Sequence, residues 1–131
     1  MADVAIGDIV QAHYNSGTYI GKVIEDRGKQ YLIEVLAVTK HPLQGDLHNP
    51  GKVENVFFHE RKALAFHEKT NVKKPAVKPF DGEVPAYGES LKEAVEAYRK
   101  KLEAEDSAFN KAALNALNHL EETTYKKSYY K

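Results

Sequence analysis

Apolar and polar positions alternate with a period of two through the first third of the chain. In residues 7–14 (GDIVQAHY), Val10, Ala12 and Tyr14 oppose Ile9, Gln11 and His13, the spacing of a strand with two distinct faces. His13 falls on the outer set. Asn15-Ser16-Gly17 follows as a turn, with Gly17 expected to supply a positive φ. Residues 18–25 form the second strand, and Gly21 within it predicts a bulge or bend. Residues 26–29 then turn the chain into 30–38, the strongest strand. Tyr31, Ile33, Val35 and Ala37 share one face; Leu32, Leu36 and Val38 share the other, interrupted only by Glu34. A strand apolar on both faces needs two covers. The expected covers are the interior of a small barrel and the C-terminal helices.

The period is lost over residues 39–55, where His41-Pro42, Gln44-Gly45-Asp46 and Asn49-Pro50-Gly51 are turn or breaker signals. A structureless loop of that length is uncommon inside a compact domain and is often functional. Short strands are expected at 56–58 and 62–66, with Glu60-Arg61 between them. Residues 68–85 read as a connector rich in Lys and Pro, in which Ala76-Val77 adds one last short strand.

A helical period takes over at Ser90-Leu91-Lys92-Glu93, which reads as a capping box; Pro85 is the alternative start, one turn earlier. Leu91, Val95, Tyr98 and Leu102 make one apolar stripe. Asp106 or Ser107 caps a second helix, striped by Phe109, Ala113, Leu117 and Leu120. The short joint between them predicts an antiparallel αα-hairpin. The hairpin packs within the chain, or in part against a second copy as a homodimer. Residues 125–131 read as a fraying end that leaves Tyr129 and Tyr130 to a partner.

These elements predict an α+β fold: a small SH3-like antiparallel β-barrel followed by a C-terminal αα-hairpin. The strands alone also fit an OB-type barrel or an open meander. The expected organisation is a single domain over 1–131, with the barrel in 1–79, the long loop at 39–55, a connector at 80–89 and the hairpin at 90–131.

Composition narrows the chemistry. No cysteine is present, which excludes disulfides, thiolate metal sites, a cysteine nucleophile and an acylated cysteine anchor. The formal net charge is zero, with 11 basic and 9 acidic residues in 1–79 and 8 basic and 10 acidic in 80–131. A duplex-binding module usually carries a basic excess, so nucleic acid is not expected as a partner. The first residues lack a basic run and a signal-length apolar core, and no apolar run reaches the ~20 residues of a membrane helix. The expected location is cytoplasmic, without a direct membrane anchor.

Four of the six histidines (His41, His48, His59, His67) lie between residues 41 and 68. The zinc motif H-E-x-x-H fails twice, because Ala63 and Asn71 stand where the second histidines belong. A metal held by His41, Asp46, His48 and His59 is a weaker reading than loop residues that hydrogen-bond the backbone. Asp46 or Glu60 as a general base lacks a nucleophile or metal partner. No catalytic residue, metal or cofactor is therefore expected. His41, Gln44, Asp46, His48, His59, Glu60 and Arg61 are the candidate residues for partner contact or for ordering the loop.

Three blocks then carry a resemblance: Gly17-Thr18-Tyr19-Ile20-Gly21, residues 41–48 (HPLQGDLH) and residues 57–65 (FFHERKALA). Residues 81–85 (DGEVP) and Glu89-Ser90-Leu91 continue it. Over nearly its whole length the chain resembles the kinase-associated protein B family of Bacillus-type spore formers. The resemblance implies a non-enzymatic accessory protein associated with a sensor histidine kinase that feeds the sporulation phosphorelay. It also implies an antiparallel sheet with a helical extension. Some members are called lipoproteins; with no cysteine here, any membrane association is expected to come through the kinase. The alternative is an SH3-like barrel that binds RNA or a ribosome-associated partner, which rests on fold analogy.

Overall fold

The computed structural model describes residues 4–44 and 61–130. Five antiparallel strands, β1 (Ile9–Tyr14), β2 (Gly17–Asp26), β3 (Gln30–Lys40), β4 (Lys69–Lys73) and β5 (Val77–Pro79), form one sheet in the order β4-β3-β2-β1-β5. A 3-10 turn, Lys74–Ala76, carries the chain from one edge of the sheet to the other. Two helices follow, α1 (Tyr87–Glu103) and α2 (Ala108–Leu120), and α2 runs on into a π-helical segment, Glu121–Tyr129. The α+β class and the order of sheet then hairpin are those the sequence predicts. Closure into a barrel is not: among the described residues β4 pairs with Gln30–Glu34 alone and β5 with Val10–Ala12 alone. The two short edge strands share no ladder, so the sheet stays open.

Local details depart from expectation for physical reasons. In the first turn the positive φ falls on Asn15 (46°) and Ser16 (66°), not on Gly17, which is already in β2. Residues 62–66 are not a strand. Their backbone groups bond to tyrosine hydroxyls instead of a ladder, as described below. The fourth strand lies at Lys69–Lys73, within the expected connector, where only Val72 is buried. A polar, lysine-bearing strand at an open edge blunts unwanted pairing, and its polarity hides it from a hydrophobic-pattern reading. Thr39 and Lys40, expected in the loop, end β3.

β3 does serve two apolar clusters. Ile33 packs with Val10, Ala12, Val23 and Val72. Val35 and Val38 pack with Tyr19 and the helices. Leu32 and Leu36 are half-buried and belong to neither core, so the expected division by alternate residues is wrong. The cause is three register slips in the β2–β3 ladder, one of them between Ile20 and Gly21. Each slip shifts which residues share a face. Gly21 is required there, since a Cβ would strike the Ile33 side chain and lie 2.7 Å from the Glu34 carbonyl oxygen.

Among the described residues, no strand pairs with the outer edge of β3 beyond Glu34. Val35 N–H donates to the Glu68 carbonyl at 2.9 Å, and Val38 N–H donates to Ser90 Oγ at 3.0 Å. α1 thus lies along the stretch of β3 that β4 leaves open. Ser90 is not a cap. It sits one turn inside α1, buried, and its hydroxyl donates to the Tyr87 carbonyl at 2.7 Å. The helix starts just after Pro85, with Ala86 as N-cap. Ser107 does cap α2, accepting from Asn110 N–H at 3.0 Å. Leu91, Val95, Tyr98 and Leu102 meet Ala113, Leu117 and Leu120 in one core. Arg99 of α1 binds Glu121 at 2.7 Å, and Glu121 also accepts the Tyr130 hydroxyl at 2.8 Å. Among the described residues no helix is long and apolar enough to cross a membrane.

Candidate functional site

The two described ends of the histidine-rich stretch, residues 41–44 and 61–65, lie side by side against the helices. Pro42 cannot continue β3, and His41 turns inward to 1 % exposure. Its Nδ1 lies 2.8 Å from the Pro42 carbonyl, which can only accept. The proton is therefore on Nδ1, and Nε2 accepts the Tyr125 hydroxyl at 2.7 Å. Tyr125 Oη in turn accepts Ala63 N–H at 3.0 Å. The imidazole stacks on Tyr98 at 5.7 Å and 17°. Burial lowers the His41 pKa to about 4, so the ring is neutral at physiological pH.

Gln44 is equally buried and joins the two ends directly. Its amide nitrogen donates to the Arg61 carbonyl at 2.9 Å, and its amide oxygen accepts Arg61 N–H at 2.9 Å. The Gln44 backbone N–H donates to Tyr98 Oη at 2.9 Å. Ser16 Oγ, held in the left-handed turn, accepts Leu43 N–H at 2.9 Å. On the other side, Leu64 N–H donates to Tyr19 Oη at 3.3 Å and Tyr87 Oη donates to the Leu64 carbonyl at 2.5 Å. Desolvation pushes the Tyr19 phenol up to about 12 and those of Tyr87 and Tyr98 upward, so all three stay protonated.

Tyrosines from β2, α1 and the C-terminal segment therefore clamp both ends of the stretch. His41, Gln44 and the Arg61 backbone, all singled out by the sequence, come together here. Asp46, His48, His59 and Glu60 lie outside the described residues. The tyrosines are what sequence reasoning missed. Residues 125–130 do not fray: Tyr125 is fully buried, and Tyr129 and Tyr130 pack on it at 5.2 and 5.9 Å. The available signal was Tyr98 on an otherwise aliphatic stripe, since a buried phenol requires a polar partner.

Among the described residues every buried side-chain nitrogen and oxygen has a hydrogen-bond partner. Among the same residues no three His, Asp or Glu side chains gather as metal ligands would. The buried network saturates itself, so its chemistry is that of a fastening. The open feature next to it is a groove of about 660 Å³ where Phe66, Tyr87 and Glu89 face the C-terminal Tyr129 and Tyr130.

The chain is similar to known proteins over this same extent. The sequence profile of the family described as "Kinase associated protein B" matches residues 14–126. "Kinase-associated lipoprotein B" of Bacillus subtilis (strain 168) is 48% identical over 121 residues, covering 92% of this chain and 94% of that protein. The crystal structure of kinase-associated protein B from Bacillus cereus superposes with a TM-score of 0.78 at 39% identity, over 92% of this chain and 96% of the other. The profile match takes in β2 to β5 and both helices.

Proposed function

This chain belongs to the kinase-associated protein B family, and from that premise we propose that it is a non-catalytic accessory protein of a sensor histidine kinase, supporting phosphoryl input to a sporulation phosphorelay. The observation that carries the reading is the likeness to the Bacillus subtilis protein, whose name states association with a kinase. The site is compatible with a contact role. The tyrosine clamp fixes residues 41–44 and 61–65 on the helices without leaving a reactive group in need of a partner. In this reading His41 and Gln44 order the stretch, and Asp46, His48, His59, Glu60 and Arg61 are proposed for partner contact.

The test is phosphoryl transfer from the sensor kinase to its response regulator in reconstituted membranes, with and without this protein. Acceleration that saturates at a fixed ratio of protein to kinase is the expected result. An unchanged rate together with no complex formed would overturn a direct role.

A further inference from the structure

The winding of the chain changes where α2 ends. An α-helix closes its bonds four residues back; the segment Glu121–Tyr129 is π-helical, a form that closes them five residues back and is mostly confined to single turns. The last bond shows the count: Tyr130 N–H donates to the Tyr125 carbonyl at 2.8 Å. The stripe of α2 explains what the wider winding achieves. Leu117 and Leu120 are buried, and an α-helix would carry their face on to Thr124. Tyr125 stands five positions after Leu120, about 140° away on an α-helix that turns about 100° per residue. Both are nevertheless buried in the same core. The π winding slips the chain by one residue, so Tyr125 goes in where Thr124 would. Tyr130 follows five residues later and packs on Tyr125 at 5.9 Å.

Local and distant bonds favour different windings here. The distant ones hold the π register: Tyr125 Oη bonds to His41 Nε2 and accepts Ala63 N–H. The local ones keep a spacing of four. The Thr123 hydroxyl donates to the His119 carbonyl at 2.6 Å, and the Ser128 hydroxyl donates to the Thr124 carbonyl at 3.2 Å. Lys126 binds Glu122, the pair spacing of an α-helix. A helix end with two registers, one of them secured from outside the segment, is a two-state element.

We propose that residues 121–130 are a register switch, π-helical while His41 and Ala63 hold Tyr125 and α-helical once they release it. In the α register Thr124 takes the core position and Tyr125 leaves residues 41–44 and 61–65. The Tyr130 backbone, which passes close to Gly88 of α1, swings off that helix. Displacing the ends of the histidine-rich stretch and rewinding the C-terminal segment are thus one event. The proposal does not depend on the accessory reading.

The experiment is NMR of the isotope-labelled full chain, reading the couplings between amide nitrogens and carbonyl carbons across hydrogen bonds. These identify the acceptor of each amide. In the wild-type chain Tyr130 couples to the Tyr125 carbonyl. The double variant Thr124→Leu, Tyr125→Ser moves the apolar residue to the α-register position. Its acceptor should shift by one residue, so that Tyr130 couples to the Lys126 carbonyl. An acceptor that stays at position 125 would overturn the proposal, since the winding would then not depend on the clamp. Loss of helical shifts over residues 121–130 would also overturn it, by leaving the segment a single folded form. If the double variant does not fold, Thr124→Leu alone decides, because it keeps every clamp tyrosine. It should split the amide signals of residues 121–130, Leu43, Gln44, Ala63 and Leu64 into two exchanging sets, while those of β1 stay single. One unsplit set with Tyr130 still coupled to the Tyr125 carbonyl, or splitting confined to residues 121–130, would overturn the proposal.

Discussion

The Tyr125 hydroxyl donates to His41 Nε2 at 2.7 Å across 84 positions of sequence, and neither side chain is reached by solvent. This one bond joins the end of the third strand to the last helical turn. Tyr125→Phe keeps the ring and removes the oxygen, leaving both His41 Nε2 and Ala63 N–H unpaired in the core. A loss of about 2–4 kcal/mol is expected, since each orphaned buried group costs about 1–3 kcal/mol. Thermal unfolding would show it as a clear drop in Tm. Tyr130→Phe, at a half-buried position with a single bond to Glu121, should cost much less.

Stability should fall below pH 6.5. His41 ionises at about 4 when folded and near 6.5 when unfolded, because burial disfavours the cation. Between those values the unfolded chain binds a proton that the folded chain refuses. The contribution of His41 is therefore complete above pH 6.5 and is lost as pH falls toward 4, to an extent on the order of 3 kcal/mol. Urea midpoints measured at steps from pH 7.5 to 4.5 check this. His41→Gln should be less stable at pH 7.5 and show a flatter profile; an equally steep profile would place the effect on the carboxylates.

Gly88→Ala should destabilise, although alanine is the better helix former by about 1 kcal/mol. A Cβ at this position would lie 2.7 Å from the Tyr130 carbonyl oxygen, which is backbone and cannot rotate away. The C-terminal segment must lift from α1, and Tyr129 and Tyr130 should become accessible. Faster proteolytic cleavage after these tyrosines, with the sheet intact by circular dichroism, is the expected outcome.

Ser90→Ala tests whether α1 is docked through its hydroxyl. The change leaves Val38 N–H without its partner at the open edge of β3 and should cost about 1–3 kcal/mol in urea denaturation. Ser107→Ala removes only the cap of α2 and should cost about 1 kcal/mol. The reverse order would mean that water reaches Val38.

What could be read from the chain was local. The alternation of β1, the bulge at Gly21, both apolar stripes and the Ser107 cap each depend on neighbours a few positions away. What could not be read depends on partners far off. Residues 62–66 resemble a strand because Ala63 and Leu64 are apolar, but their amides end on Tyr125 and Tyr19. The capping box at Ser90 matched its pattern, yet tertiary docking took the hydroxyl for Val38. The polar, lysine-rich end of the chain carries a weak helical period, and its buried residue, Tyr125, bonds to His41 and Ala63 far back in the sequence. For the same reason the sequence singled out His41, Gln44 and Arg61 but not the four tyrosines that fasten residues 41–44 and 61–65. These tyrosines come from β2, α1 and the C-terminal segment, and only the fold brings them together.

The clamp also sets an order of events during synthesis. His41 leaves the ribosome long before Tyr125, so the sheet emerges with an imidazole whose Nε2 still lacks its partner. Only when Tyr125 is translated can Ala63, His41 and the helices settle together. A chain cut short before that residue contains the residues of every described strand, yet leaves His41 Nε2 and Ala63 N–H without the Tyr125 hydroxyl. Tyr125 is thus the last part of the clamp to be made, and the two segments it joins are fastened only once it is in place.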